Sequence, residues 1–209
     1  MSGGDDVESD QLIRRAKMGD VAAVGILLEH YRARLKRIIQ IRIDPRLQGR
    51  IDPSDVLQDT YIDVHNRIGE LTDGDLPFFL WLRLKLAHRL TDLHRFHFRK
   101  KRHSAGEVSI AGAAMPNASS ASVASLLVGA LTSPSDAAAR AEAAERIEAV
   151  LNSMDEVDRE VIVLRHFEDL SNSETATVLN LSQNAASNRY VRALRKLKAS
   201  LDPSGNEHG

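Results

Sequence analysis

The 209-residue sequence predicts an all-α protein of two small helical domains, the second a helix-turn-helix, joined by a flexible linker. Three observations carry that prediction. Apolar residues recur at helical spacing on both sides of an Ala/Ser/Gly-rich middle stretch, and strand signals are nearly absent. Residues 155–201 fit two short helices across a tight turn, followed by a longer one. Helix start and stop residues punctuate both halves.

The elements follow in order. Residues 1–8 are acidic and polar and are expected to be disordered, and they do not resemble a secretory leader. The first domain is expected over 9–103. Ser9 or Asp10 can cap a helix ending near Gly19, and Asp20 caps a long one running through Ile41. Asp44-Pro45 breaks the chain. Asp52 is a good N-cap, with Pro53 at the first helical position. On this third helix Leu57, Tyr61, Val64 and Ile68 form the apolar stripe, and Asp52, Asp55, Asp59, Asp63 and Asn66 lie opposite. Thr72-Asp73-Gly74-Asp75 reads as a turn, and Pro77 starts a fourth helix. There Phe79, Leu82, Leu86, Leu90 and Leu93 point inward, while Lys85, His88, Arg95 and Arg99 face out with Trp81 on or near that side.

The linker is expected over 104–136, with room for one short helix. The second domain spans 137–201 and a tail 202–209. One helix covers about Ala138 to Leu151 and the next Asp155 to Phe167. Ser171 and Glu174 make a capping box for a short helix through Leu179. Leu181 sits in the turn and Ser182 caps the last helix. On that helix Ala186, Tyr190, Leu194, Leu197 and Leu201 share one face, and Arg189, Arg192 and Lys196 share another.

Charge is segregated although the net is only −1. From Ile51 to Asp75 seven acids face the single base Arg67, and from Trp81 to His103 eight bases face the single acid Asp92. A chain binding nucleic acid alone and without sequence preference is usually basic overall. This pattern implies two kinds of partner, one polyanionic and one not. No apolar run approaches the roughly 18 residues of a membrane span. The chain has no cysteine, which excludes disulfides and thiolate metal sites and suits the cytoplasm.

No acid occurs between Ser182 and Ser200, whereas Arg189, Arg192, Arg195, Lys196 and Lys198 do. Solvated helices usually mix signs, so this face points to DNA. Gln183, Asn184 and Asn188, near the helix N-terminus, have the chemistry for base edges. On the fourth helix Phe78, Phe79, Trp81, Phe96 and Phe98 interleave with Arg83, Lys85, Arg89, Arg95 and Arg99-Lys100-Lys101-Arg102. Aromatics among cations suit single-stranded nucleic acid, although Phe79 also fits a core. The acidic face of the third helix fits a protein docking surface better than a metal or acid–base site. His88, His94, His97 and His103 lack carboxylate or Cys partners at ligand spacing. No nucleophile motif is present. Neither catalysis nor a cofactor or metal is expected.

Together these segments resemble the extracytoplasmic-function (ECF) class of RNA polymerase sigma factors. Asp10-Gln-Leu-Ile-Arg-Arg-Ala-Lys-Met-Gly-Asp20 resembles the family's opening helix. Asp52-Pro-Ser-Asp-Val-Leu-Gln-Asp-Thr-Tyr61 resembles the segment that docks on the clamp coiled coil of the polymerase β′ subunit. Phe79-Leu-Trp-Leu-Arg-Leu-Lys-Leu-Ala-His-Arg-Leu-Thr-Asp92 resembles the helix that, with the loop before it, captures the promoter's −10 strand. Arg159, Leu164-Arg165, Glu174-Thr-Ala176 and Ser182 to Ala193 resemble the reader of the −35 element.

The resemblance implies core-polymerase contacts at Asp52, Asp55, Gln58, Asp59 and Asp63. It implies −10 contacts at Trp81, Lys85, His88, Arg89, Arg95 and Arg99, and −35 contacts at Gln183, Asn184, Ser187, Asn188, Arg189, Arg192 and Lys196. It also implies contact with the β flap, a linker passing through polymerase channels, and an anti-sigma protein as a candidate partner. Asn184, Ala185 and Ala186 replace the family's usual Gly-Thr-Val; Asn184 would keep the turn because Asn tolerates unusual backbone angles. Ser187 replaces a common reader, His88-Arg89 departs from the family pattern, and Ile43–Arg50 is longer than usual. The competing readings are a stand-alone helix-turn-helix regulator with a sensing domain, and a nuclease working through the acidic face.

Overall fold

The computed structural model describes residues 3–71, 76–98, 115–131 and 137–201. Among them the chain is helical, and the contacts divide it into two units. The first unit comprises Met1–Ile39 and Leu47–Pro116, and the second Gln40–Arg46 and Asn117–Gly209.

The first unit contains α1 (Gly3–Lys17), most of α2 (Val21–Arg42), α3 (Pro53–Arg67) and α4 (Phe78–Phe98). Helix α1 starts at Gly3, so Gly3–Glu8, expected to be disordered, is helical, and Ser9 and Asp10 lie inside the helix rather than capping it. Bases at Arg14, Arg15 and Lys17 in its last turn complement the helix dipole. Asp20 caps α2, its Oδ1 accepting the Ala23 N–H at 3.1 Å. A short 3₁₀ turn at Pro45–Leu47 follows the Asp44-Pro45 break. Asp52 caps α3 by accepting the Ser54 N–H at 2.8 Å, and Pro53 occupies the first turn. Leu57, Val64 and Ile68 are buried and Tyr61 is half-buried, as the stripe requires. The Tyr61 hydroxyl donates to the Leu28 carbonyl at 2.9 Å, fixing α3 to α2. Burial pushes that phenol up to about 12, with a smaller contribution from Glu29 and opposed by Arg32.

The inward positions of α4, Phe79, Leu82, Leu86 and Leu90, are buried; each such side chain contributes about 2 kcal/mol of transfer free energy. The outward assignment of Trp81 and Lys85 is incorrect. Both are buried, at 7% and 8% exposure. Every residue from Phe78 to Leu82 is apolar, so the start of α4 has no polar face for Trp81 to share. Trp81 packs on Phe78 with ring centroids 6.1 Å apart. Lys85 lies 5.0 Å from the Trp81 ring and 3.4 Å from a Glu70 carboxylate oxygen. The expected turn at 72–75, Arg99 and the basic run after it lie outside the described residues.

The second unit contains α5 (Ser120–Leu131), α6 (Ala137–Ser153), α7 (Glu156–Ile162), α8 (Asn172–Leu179) and α9 (Gln183–Leu201). Its core gathers Ile41, Val123, Ala124, Val128, Ile147, Leu151, Ile162, Val163, Phe167, Ala193 and Leu197. Part of the expected linker thus belongs to this unit. The apolar residues Ala124 and Val128, four positions apart, with Val123 beside them, give α5 one face to bury. The 104–114 and 132–136 parts of that linker, and the tail, lie outside the described residues.

Between α7 and α8 a π-helical turn, Val163–Phe167, buries Phe167 and brings Glu168 fully inside. Glu168 meets Arg42, which is also buried: Arg42 Nε donates to Glu168 Oε1 at 2.6 Å, and Arg42 Nη2 donates to Glu160 Oε1 at 2.5 Å. Burial alone would lower the guanidinium's affinity for its proton, but the two carboxylates outweigh this and raise it. Among the described residues no helix is long and apolar enough to cross a membrane.

Candidate functional site

The helix-turn-helix is built by its caps. Ser171 Oγ accepts the Glu174 N–H at 3.2 Å, and Glu174 accepts the Ser171 N–H at 2.7 Å, closing the expected capping box of α8. Helix α8 ends at Asn180, held left-handed at φ 52°. Asn180 therefore makes the turn; Asn184, expected to do so, lies in the first turn of α9 and meets no backbone demand there. Ser182 Oγ accepts the Ala185 N–H at 3.1 Å, and the Asn172 amide donates to the Gln183 carbonyl at 2.9 Å. These bonds fix the entry of α9 against α8.

Helix α9 buries Ala186, Ala193 and Leu197 and exposes Gln183, Asn184, Ser187, Asn188, Arg195, Lys196 and Lys198. Arg189 and Arg192 are placed differently from the expectation of one open cationic face. Arg192 donates from Nε to Asp158 Oδ2 at 2.8 Å and from Nη2 to Asp158 Oδ1 at 2.6 Å. Arg189 Nη1 donates to Asp158 Oδ1 at 2.7 Å and to Asp155 Oδ1 at 3.2 Å. Asp155 also caps α7, accepting the Val157 N–H at 3.0 Å. Burial would raise the Asp158 carboxyl, but hydrogen bonds from Arg192 and Arg189 outweigh it and hold it below the ordinary 3.8.

Sequence reasoning passed over Asp155 and Asp158. The acid-free window of α9 conceals acids supplied by the helix packed on it. The one local signal was the spacing Asp155-x-x-Asp158, which puts both at the start of the same helix. Tyr190 and His166 share a hydrogen bond of 2.9 Å.

In the first unit the acidic face of α3 is partly committed. Asp52 is occupied as a cap. Asp63 pairs with Arg67 at 2.8 Å, one helical turn away. Asp59 pairs with Arg89 of α4, joining a residue expected to touch polymerase to one expected to touch DNA. Asp55 and Gln58 are exposed. On α4, His88 and Arg95 are exposed, as is Phe96 at 72%. Among the described residues no group of three or more His, Cys, Asp or Glu is placed to hold a metal ion.

A capped helix-turn-helix with a polar reading head, set in one unit, and an acidic helix beside an aromatic–basic one, set in the other, define a two-unit helical transcription factor. The family described as "Sigma-70, region 4" matches residues 144–197. The chain is 32% identical to the RNA polymerase sigma factor NccH of Alcaligenes xylosoxydans xylosoxydans over 93% of its own length and 95% of that protein's. It is 24% identical to the ECF RNA polymerase sigma factor SigD of Mycobacterium tuberculosis (strain ATCC 25618 / H37Rv), over 94% of this chain and 85% of SigD. A solved structure of CnrH in complex with the cytosolic domain of CnrY superposes with a TM-score of 0.54 at 27% identity, covering 92% of this chain and 96% of CnrH. The chain belongs to the ECF class of RNA polymerase sigma factors. It is a non-enzymatic transcription initiation factor that binds core RNA polymerase and promoter DNA, and the stand-alone regulator is not favoured.

Proposed function

We propose that the two units divide this work. The α3 face, led by the exposed Asp55 and Gln58 with Asp59 beside them, docks on the clamp coiled coil of the β′ subunit. The far half of α4 holds the melted −10 strand through His88, Arg89 and Arg95. The head of α9 reads the −35 duplex, with the second unit against the β flap. The observation that best supports this reading is the exposed row Gln183, Asn184, Ser187 and Asn188 on a capped recognition helix, because amides and hydroxyls at that place match base edges in the major groove.

The near-zero net charge fits a factor that borrows DNA affinity from the polymerase. Its place of action is the cytoplasm. CnrH, solved in complex with the cytosolic domain of CnrY, supports a further protein partner for this chain, an anti-sigma protein by the family resemblance.

Run-off transcription with core polymerase tests the whole reading. Stimulated initiation is expected, and no stimulation at any promoter together with no polymerase co-purification would sink it. Asp55→Arg with Gln58→Arg should abolish core pull-down without unfolding the chain, since both positions are exposed. Undiminished pull-down would remove the docking assignment.

A further inference from the structure

Asp158 stands on α7, not on the recognition helix, and its side chain is 2% exposed. Both of its oxygens are taken by arginines of α9, Arg192 in a bidentate pair and Arg189 on the same Oδ1. Arg192 nevertheless has a side chain 56% exposed. Its Nε–Nη2 edge rests on Asp158, and the guanidinium's other donors remain for a partner approaching from solvent.

Reading guanine bidentately takes two coplanar N–H donors from one edge of a guanidinium. On Arg192 the Nε–Nη2 edge is occupied, which leaves the Nη1–Nη2 edge for DNA, and Arg192 lies nine residues past Gln183, beyond the N-terminal stretch with which a recognition helix meets base edges. Swinging either arginine onto a base would strip hydrogen bonds from the Asp158 carboxylate, which the two guanidinium groups cover. A phosphate oxygen asks for less, because one donor and a positive charge satisfy it. The residues at the head of α9 carry no charge and are not drawn to Asp158.

We propose that Asp158 is a positioning residue that divides labour along α9: it fixes Arg192 so that its remaining Nη1–Nη2 edge meets a backbone phosphate, leaving sequence choice to Gln183, Asn184, Ser187 and Asn188. This rests on the promoter reading proposed above.

The test uses core polymerase reconstituted with the full chain on a duplex promoter library randomised through the −35 and −10 windows. Transcript yield is read against template sequence at several salt concentrations. The wild-type chain selects a motif. Arg192→Ala lowers yield about tenfold at every sequence, keeps the motif, and reduces the log–log salt slope by about one. Asp158→Asn gives the same uniform loss, and the double variant is no worse than either single one, because the carboxylate acts through the arginine. Asn184→Ala instead flattens preference at one position.

The inference is overturned if Arg192→Ala changes the preferred base pair at one position. It is equally overturned if Asp158→Asn leaves yield and slope at the wild-type level, or if the two losses multiply. Should Asp158→Asn fail to fold by helical circular dichroism, Arg192→Lys decides. It keeps the charge and loses the fork, so the wild-type slope with reduced yield supports the proposal, and full yield overturns it. A wild-type chain that transcribes nothing from the library defeats the promoter reading itself; a wild-type motif with contrary variants defeats only the role of Asp158.

Discussion

The α3–α4 face of the first unit and the α7–α9 face of the second both carry aspartate–arginine pairs, and the pairs differ in kind. Asp59 and Arg89 are both about 40% exposed. Such a pair is worth little, between about 0 and 1 kcal/mol, because water and salt compete for each member. A partner can therefore replace either member. At Asp158 the acid is buried and only the arginines reach solvent. Three hydrogen bonds from two guanidinium groups converge on that one carboxylate, so the cluster holds. Exposure of the acid, more than distance, decides which arginine a polymerase or a DNA strand can borrow.

The buried extreme is the Arg42 cluster, and it gives the largest expected effect. Arg42→Ala leaves Glu168 fully buried beside Glu160 and should destabilise the second unit by about 3–5 kcal/mol. The sole tryptophan, Trp81, belongs to the first unit, so amide hydrogen exchange across α7 and α9 is the appropriate measurement. Arg42→Met with Glu168→Leu should recover most of the loss, because an apolar pair removes the stranded charge. Unchanged protection in Arg42→Ala would mean that burial does not govern these pairs.

Acid gives the next effect. The folded Asp158 carboxyl lies below 3.8, so between its folded and unfolded values the unfolded chain binds more protons, and stability rises with pH there. Its contribution is present above about pH 4 and is lost as pH falls through the folded value. His166 acts in the same direction. Burial, helped by Arg165 and opposed by Asp169, lowers it below 6.5, so the unit weakens as pH drops under 6.5 and the unfolded chain takes up the proton first. Urea midpoints for the second unit should therefore fall in two stages from about pH 7 to about pH 3. His166→Gln should remove the upper stage and Asp158→Asn the lower.

These pairs also show what a sequence discloses. Caps are local, so Asp20, Asp52, Ser171 with Glu174, and Ser182 could be assigned from a few neighbours, and the structure bears each one out. Apolar stripes are nearly as local. The state of a charge is not local. Arg192 reads as open because no acid lies near it on its own helix, and Asp158, 34 residues away, closes it. Lys85 reads as outward by spacing alone, yet it follows a first turn, Phe78 to Leu82, that is apolar all round, and it is buried. The π turn that carries Glu168 inward leaves no pattern in composition, and its partner Arg42 is 126 residues away.

The smallest effect tests the exposed side of the comparison. Asp59→Asn should cost less than about 1 kcal/mol in global stability, since both partners already meet water. It nevertheless removes an acid from the docking face and releases a cation on α4 in one step. Core-polymerase pull-down should weaken, while affinity of the uncomplexed chain for a single-stranded oligonucleotide should rise about two- to threefold, from one unmasked arginine, and the gain should vanish at high salt. The matching change at the buried site, Asp158→Asn, should not raise DNA affinity, because there the acid aims the arginine instead of masking it. If Asp59→Asn lowers single-strand binding, Asp59 also positions its arginine, and the distinction drawn from burial fails for that pair.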